Sequence, residues 1–282
     1  MGEGCPVNLL QRCLVAAVGI PAIYLLIRLG SWYVLSVVVA QAGLAAGEFY
    51  SMARRKGLSP FAGLGTFLAA AMPFFAFQAI SAQSSIWITS SVCLALMAVA
   101  AAALIGSQQV QDAIVRISVT AFGPLYFGVL FSTQLLLRHD PAYPDMAGVN
   151  WLFLAYLITW AVDTGSYVSG RLFGRRKLSP ALSPGKTCEG AIGGLLFAIA
   201  ASCLLGVLWM GLFDWIQAVS YGLLIGVAAP AGDLVISVFK RDSGIKDSSK
   251  LIPGHGGVLD RFDSLLFTVP VSVIFRFFVT QV

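Results

Sequence analysis

The residues best suited to chemistry lie in the last third of the 282-residue chain. Asp233, Ser237 and Arg241 recur at i, i+4 and i+8, with Lys240 at i+7, so one helical stripe carries a carboxylate, a hydroxyl and two cations. Along such a helix Asp233 sits about 10 Å below Lys240, at 1.5 Å per residue. The following stretch, 246–263, holds three cations, three carboxylates, one His and three Gly. Gly254, Gly256 and Gly257, with His255 among them, offer backbone N–H groups just before a helix start, a natural place to hold phosphate oxygens. Asp260 and Asp263, at i and i+3, project together from that helix's first turn, where carboxylates gain from the helix dipole and can also hold Mg²⁺. A carboxylate pair by itself is more often a cap than a metal site. Joined to Asp233, a dense set of Lys and Arg and a Gly-rich turn, it points to phosphate chemistry.

A second polar segment runs from Trp160 through Asp163-Thr164-Gly165-Ser166-Tyr167 to Gly170, Arg171 and the basic Arg175-Arg176-Lys177, then to Ser183-Pro184-Gly185-Lys186-Thr187-Cys188-Glu189-Gly190. Asp163 falls about 12 residues, or ~18 Å, inside an apolar span, where an unpaired carboxylate costs roughly 2.5–3.5 kcal/mol. Taken alone it serves equally well as a structural ion pair with Arg171, eight residues on along the same face, or as a site residue. The clustered Gly and Ser beside it favour a cavity. Gly185-Lys186-Thr187 has the tail of a P-loop, but Pro180 stands where the first Gly of that motif belongs, so no P-loop is present.

These residues must be positioned by helices in a membrane. Hydrophobic residues make up 58% of the chain and charged ones only 11%, with a mean hydropathy of +0.84. Too few charges remain to cover a soluble globule, which excludes a disordered chain, a coiled coil and a soluble nucleic-acid binder. Uncharged runs cover 57–111, 117–137, 190–213 and 215–232, each long enough for one crossing or, in the first case, two. Period-2 alternation is absent, so the fold class is all-α.

Nine transmembrane spans are expected, at 9–29, 32–50, 58–80, 86–105, 117–137, 151–170, 190–213, 215–239 and 264–282. The first reads as a mature helix rather than a signal peptide, since Arg12 is its one n-region charge and no small-residue cleavage site follows. With the N-terminus inside and the C-terminus outside, fifteen of the eighteen Lys and Arg fall on the cytoplasmic face. Arg28, Arg138 and Arg276 fall near the other face, where 139–145 reads as an outside turn. The net charge of +5 and the group Arg54, Arg55 and Lys56 then follow from topology and anionic headgroups. Residues 1–150 form a five-span scaffold, and 151–282 carry the site within one integrated membrane domain. Segments 171–189 and 233–263 hold sixteen of the thirty-one formal charges in fifty residues.

Five scattered cysteines, Cys5, Cys13, Cys93, Cys188 and Cys203, lack any metal spacing and read as small apolar fillers. The GxxxG at Gly190 to Gly194 would permit close helix packing and a homodimer.

The chain resembles the phosphatidate cytidylyltransferases, or CDP-diacylglycerol synthases. The signature is carried by Ser237, Phe239, Lys240 and Arg241, then Lys246, Asp247 and Ser249. It continues through Ile252, Pro253, His255, Gly256, Gly257 and Val258 to Asp260, Arg261, Phe262 and Asp263, with every fixed position filled. The segments around Asp163 and Lys186, and Glu48 in the second span, are also similar to that family. Gly185 and Cys188 depart from it, where members commonly carry Lys and Trp. The resemblance implies an enzyme of phospholipid synthesis that moves CMP from CTP to phosphatidate with Mg²⁺ as cofactor.

A lipid phosphate monoester is largely ionised near neutral pH, its second pKa being about 6, so no strong base is needed. Catalysis then rests on charge neutralisation and in-line positioning. On this reading Asp233 and Asp260 hold the metal, with Asp263 and Asp163 behind them. Lys240, Arg241, Lys246, Arg261 and Lys186 meet phosphates, while His255, Gly256 and Gly257 steady pyrophosphate; Ser237 and Asp247 complete the set. The expected location is a bacterial inner membrane with the site facing the cytoplasm, because no organelle-targeting stretch precedes the first helix. A transporter is the reading from another class, and a kinase or a cytidylyltransferase for a different lipid is the third. Against transport, the polar residues gather at one face instead of tracing a path across the membrane.

Overall fold

A computed structural model describes residues 9–105, 112–139, 147–249, 251 and 256–280. The helices are α1 (Leu9–Leu29), α2 (Ser31–Arg55), α3 (Ala62–Ser81), α4 (Ile86–Ile105) and α5 (Ala113–Arg138), the last passing through a π turn at Pro124–Gly128. They continue as α6 (Ala147–Phe173), α7 (Cys188–Trp209), α8 (Trp215–Asp242), the single turn α9 (Leu259–Phe262) and α10 (Leu265–Thr280). Between α6 and α7 lies an antiparallel hairpin, β1 (Lys177–Ser179) and β2 (Ser183–Thr187), with Lys177 opposite Thr187. This hairpin lies in the stretch expected as the loop after the sixth span, too polar and Pro-rich to continue as helix, and it satisfies its backbone by pairing with itself. Helix α6 also runs past its expected end, to Phe173. The expected outside turn lies almost wholly beyond the described residues.

Among the described residues, seven helical stretches are long and apolar enough to cross a membrane: α2, α3, α4, α5, α7, α8 and Leu259–Val279. Helix α6 is as long but falls outside that set, since Asn150, Asp163, Thr164 and Ser166 dilute its apolarity. Large apolar side chains point outward, Leu104 at 76% and Ile105 at 89% exposure among them. In water such a surface would drive association, whereas in lipid it is the natural exterior. The fold is that of an α-helical polytopic membrane protein.

Two joints fix the bundle near the charged segments. Helices α2 and α8 end alike, with Gly57 (φ 86°) and Gly244 (φ 70°) in the left-handed region that only Gly adopts cheaply. Leu58 N–H then reaches Ala53 O, and Ile245 N–H reaches Lys240 O. Lys56 pairs with Asp242, so both helix ends lie at one end of the bundle. Beneath them Phe49 of α2, Phe122 and Phe127 of α5 and Phe239 of α8 pack with centroids 5.1–5.6 Å from Phe49. Tyr50, fully buried, donates to Thr120 O at 2.6 Å. Buried residues of α1, α2, α3 and α5 share one core with those of α6, α7, α8 and α10.

The second joint is glycine packing. Gly190, Gly193 and Gly194 let α7 lie against α6; a Cβ on Gly193 or Gly194 would overlap Ser169 or Ser166. The GxxxG stripe is thus covered by α6 of the same chain and offers no surface for a homodimer. Gly194→Val should therefore lower the yield of folded protein, overpacking of this kind costing about 1–3 kcal/mol, while leaving the oligomeric state in detergent unchanged. Size-exclusion chromatography with light scattering reads both.

Candidate active site

Helix α6, the hairpin, the start of α7 and the middle of α8 enclose a cavity of about 350 Å³. Asp163, Tyr167 and Arg171 line it from α6, Lys186 and Thr187 from the hairpin, and Asp233 from α8. Thr187 caps α7, its hydroxyl accepting from Gly190 N at 3.1 Å. Glu189 in the first turn accepts from the N–H groups of Arg175 and Arg176 at 3.0 and 3.1 Å, anchoring the chain that leaves α6. Arg241 reaches the hairpin from outside, donating to Leu182 O at 3.0 Å and to Ile245 O at 3.2 Å. The hairpin is therefore held at both ends, with Lys186 aimed at the cavity floor.

There Lys186 Nζ lies 2.6 Å from Asp233 Oδ2, and Ser237 donates to Asp233 Oδ1 at 3.3 Å, the i, i+4 contact expected from the sequence. Asp163 lies within electrostatic reach of Asp233, Lys186 and Arg261. Arg171 instead donates to Tyr167 Oη at 3.0 Å. The ion pair considered for Asp163 is thus replaced by a link to groups on other elements.

Asp263, at the junction of α9 and α10, is buried and interacts electrostatically with Asp233, Asp163 and Lys240. Its Oδ1 accepts from Ser264 N at 2.7 Å. A Cβ on Gly232 would stand 2.6 Å from Asp263 O, which is why α8 can approach this junction so closely. Three helical elements thus bring three carboxylates together, with Lys186, Lys240 and Arg261 around them.

Asp260 has a different position from the one expected. Its Oδ1 receives Lys240 Nζ at 2.7 Å, with both side chains largely shielded, at 11% and 12% exposure. Its Oδ2 receives Ser248 N at 2.8 Å, Ser248 Oγ at 2.9 Å and Gly257 N at 3.0 Å. Four protein donors thus lie against this carboxylate, three of them on Oδ2 and only Lys240 on Oδ1. Gly257 N–H, expected to face phosphate, is turned inward to Asp260. Gly256 sits at φ 80°, with Asp260 beneath it.

Lys246 and Asp247 are exposed on the loop. His255, with 252–254, lies outside the described residues. Cys188 and Cys203 are free thiols beside the hairpin and in α7, and Cys93 is an exposed free thiol on α4.

Sequence reasoning left Glu48 out of the site. It is buried at 7% exposure and accepts from Ser249 Oγ (2.6 Å) and Val258 N (2.9 Å) on Oε1, and from Ser248 Oγ (2.7 Å) and Leu259 N (2.9 Å) on Oε2. The signal was present, since Glu48 is the only carboxylate between Glu3 and Asp112, and an acidic residue inside an apolar span is costly without a purpose.

Among the described residues no group of three or more carboxylate, imidazole or thiolate side chains is placed to hold a metal ion. Mg²⁺ does not need one, because it keeps waters and substrate oxygens and uses one or two carboxylates. Asp233 and Asp263, with Asp163 beside them, are hard oxygen donors whose mutual repulsion such a cation would relieve, so the residues fit an open site of this kind.

A helical membrane protein with clustered carboxylates and cations at one end of its bundle is equipped to bind polyphosphate beside lipid. The sequence profile of the cytidylyltransferase family matches residues 10–279. The phosphatidate cytidylyltransferase of Synechocystis sp. is 34% identical over 293 residues, covering 94% of this chain and 95% of that protein. That of Haemophilus influenzae is 44% identical over 160 residues, 55% of this chain and 54% of that one. The uncharacterized protein YnbB of Escherichia coli is 51% identical over 124 residues, 44% of this chain and 41% of its own length. The chain belongs to the cytidylyltransferase family.

Proposed function

We propose that this protein transfers CMP from CTP to phosphatidate. A lipid phosphate oxygen attacks the α-phosphorus of CTP, a new P–O bond forms, the α–β bridging P–O bond breaks, and pyrophosphate leaves with the electron pair. CDP-diacylglycerol is the other product. The near full-length likeness to a phosphatidate cytidylyltransferase carries this reading, and the convergence of Asp163, Asp233 and Asp263 supports it.

Asp233 and Asp263 would hold Mg²⁺, with Asp163 beside them. When bound, the cation supplies neutralisation of phosphate charge and holds phosphate oxygens in place. The chain's own cations do the rest. Lys240, held by Asp260, and Arg261, near Asp163, lower the repulsion between two polyanions. Lys186 offers a further charge from the hairpin, and Arg241 holds that hairpin to the end of α8. His255 would steady pyrophosphate, and the exposed Lys246 would meet phosphate.

Nine crossings with the N-terminus inside would put this end of the bundle in the cytoplasm, where CTP is found, and a bacterial inner membrane would be the corresponding location. The cation-rich ends of α2 and α8, joined by Lys56 and Asp242, agree with that orientation.

Purified protein supplied with phosphatidate in detergent should move label from α-³²P-CTP into lipid and label from γ-³²P-CTP into pyrophosphate. Lipid labelled from the γ position would mean a kinase. Uptake into vesicles without lipid labelling would mean a transporter.

A further inference from the structure

We infer that Glu48 of α2 is a positioning residue for this transfer: a carboxylate from the N-terminal half clamps the loop that holds Asp260 against Lys240. The inference rests on the CMP-transfer reading above.

Ser248, Ser249 and 257–259, at the two ends of the loop between α8 and α9, surround two carboxylates. Asp260 faces Lys240, and Glu48 fills the opposite side with four donors, two on each oxygen. Two of those donors, Val258 N–H and Leu259 N–H, are among the first, otherwise orphaned, N–H groups of α9, so Glu48 caps that helix from about 210 residues away in sequence. The Ser248 hydroxyl lies between the two carboxylates, 2.7 Å from Glu48 and 2.9 Å from Asp260, and its single proton serves one of them at a time.

Gly257 is where the two halves meet. A Cβ there would stand 2.5 Å from both Glu48 oxygens and would overlap Ser248 Oγ. The nest of N–H and O–H groups that could have held a substrate anion is thereby filled by the protein itself. A buried carboxylate is an expensive anchor, and a simple apolar contact would suffice if the loop needed only to be covered. Four directional bonds fix it to within a fraction of an ångström, the precision that in-line transfer demands, since about 1 Å of misplacement can cost 10²-fold in rate.

The test is Glu48→Gln in the full-length protein, measured per folded molecule. The amide's N–H₂ replaces one acceptor oxygen and faces two donors. We expect kcat to fall by about 10–100-fold, as for loss of a supporting residue behind a site, with little change in KM for CTP or phosphatidate. Hydrogen exchange should rise in peptides carrying Ser248, Ser249 and 257–259, and not in α3 or α4. Ser249→Ala should give the same pattern more weakly. The two changes together should cost less than the sum of their separate effects, because they break one contact. Glu48→Asp, which keeps the charge, should recover part of the rate.

Normal kcat in folded Glu48→Gln, or a loss confined to folding yield, overturns the inference. So does Ser249→Ala with neither effect, should Glu48→Gln fail to fold. If the wild-type protein moves no CMP, the functional reading is what fails, and a rise in loop exchange identifies that case.

Discussion

Asp233→Asn should lower CMP transfer by at least about 10³-fold at saturating CTP and Mg²⁺, at the upper end of what one electrostatic contact in a site contributes. Asp233 is the carboxylate on which the site converges. Lys186 reaches it from the hairpin, Ser237 from its own helix, and Asp163 and Asp263 press on it from two other elements. Replacing it with an amide removes the negative charge from the middle of this group and strands Lys186 beside a neutral side chain. The variant should still insert and fold, because Asn keeps the volume of Asp and Asp233 lines a cavity instead of a packed core. Equilibrium binding of Mn²⁺, followed by its paramagnetic signal without substrate, should weaken as well. Unchanged Mn²⁺ binding would remove Asp233 from the metal site whatever the effect on rate.

Asp260→Asn is the informative contrast. It should also cost about 10²-fold or more in kcat, by misplacement, yet leave Mn²⁺ binding close to wild type. Asp260 is held by Lys240 on Oδ1 and by the Ser248 N–H, the Gly257 N–H and the shared Ser248 hydroxyl on Oδ2. In the amide variant one end of the side chain becomes a donor, so it must oppose either the ammonium or the loop's N–H groups. Lys240 then loses its fixed partner, and the loop loses the bonds that close it. Lys240→Met should be almost as damaging alone, and adding it to Asp260→Asn should cost little more, as for residues that act as a unit. If Asp260→Asn abolished Mn²⁺ binding, Asp260 would be a metal ligand and the assignment of Lys240's partner would be wrong.

The two aspartates differ in a way that local sequence does not show. Asp260 and Asp263 leave one short turn at i and i+3, and by residue type and place Asp260 ranks ahead of Asp263 as a ligand. What separates them is what arrives from elsewhere: Lys240 and Ser248 close over Asp260, while α8 brings Asp233 against Asp263, a contact that depends on Gly232 having no side chain. Arg241 diverged from Lys240 for a similar reason. One residue apart on a helix, they point about 100° apart, one to Asp260 and the other to the Leu182 carbonyl of the hairpin.

From the amino-acid sequence alone came the membrane, the helical class, the crowding of charge into 171–189 and 233–263, and the Asp233 and Ser237 contact. Each is local or compositional: transfer of apolar residues into lipid depends on their sum along a span, and an i, i+4 contact on helix geometry. The hairpin that aims Lys186, the covering of the GxxxG stripe by α6, the separation of Asp260 from the other aspartates and the reach of Glu48 across 200 residues to Ser248 were decided by tertiary structure. A carboxylate's role follows from which donors surround it, and in a helical bundle those donors come from chains of packing that no spacing along the sequence encodes.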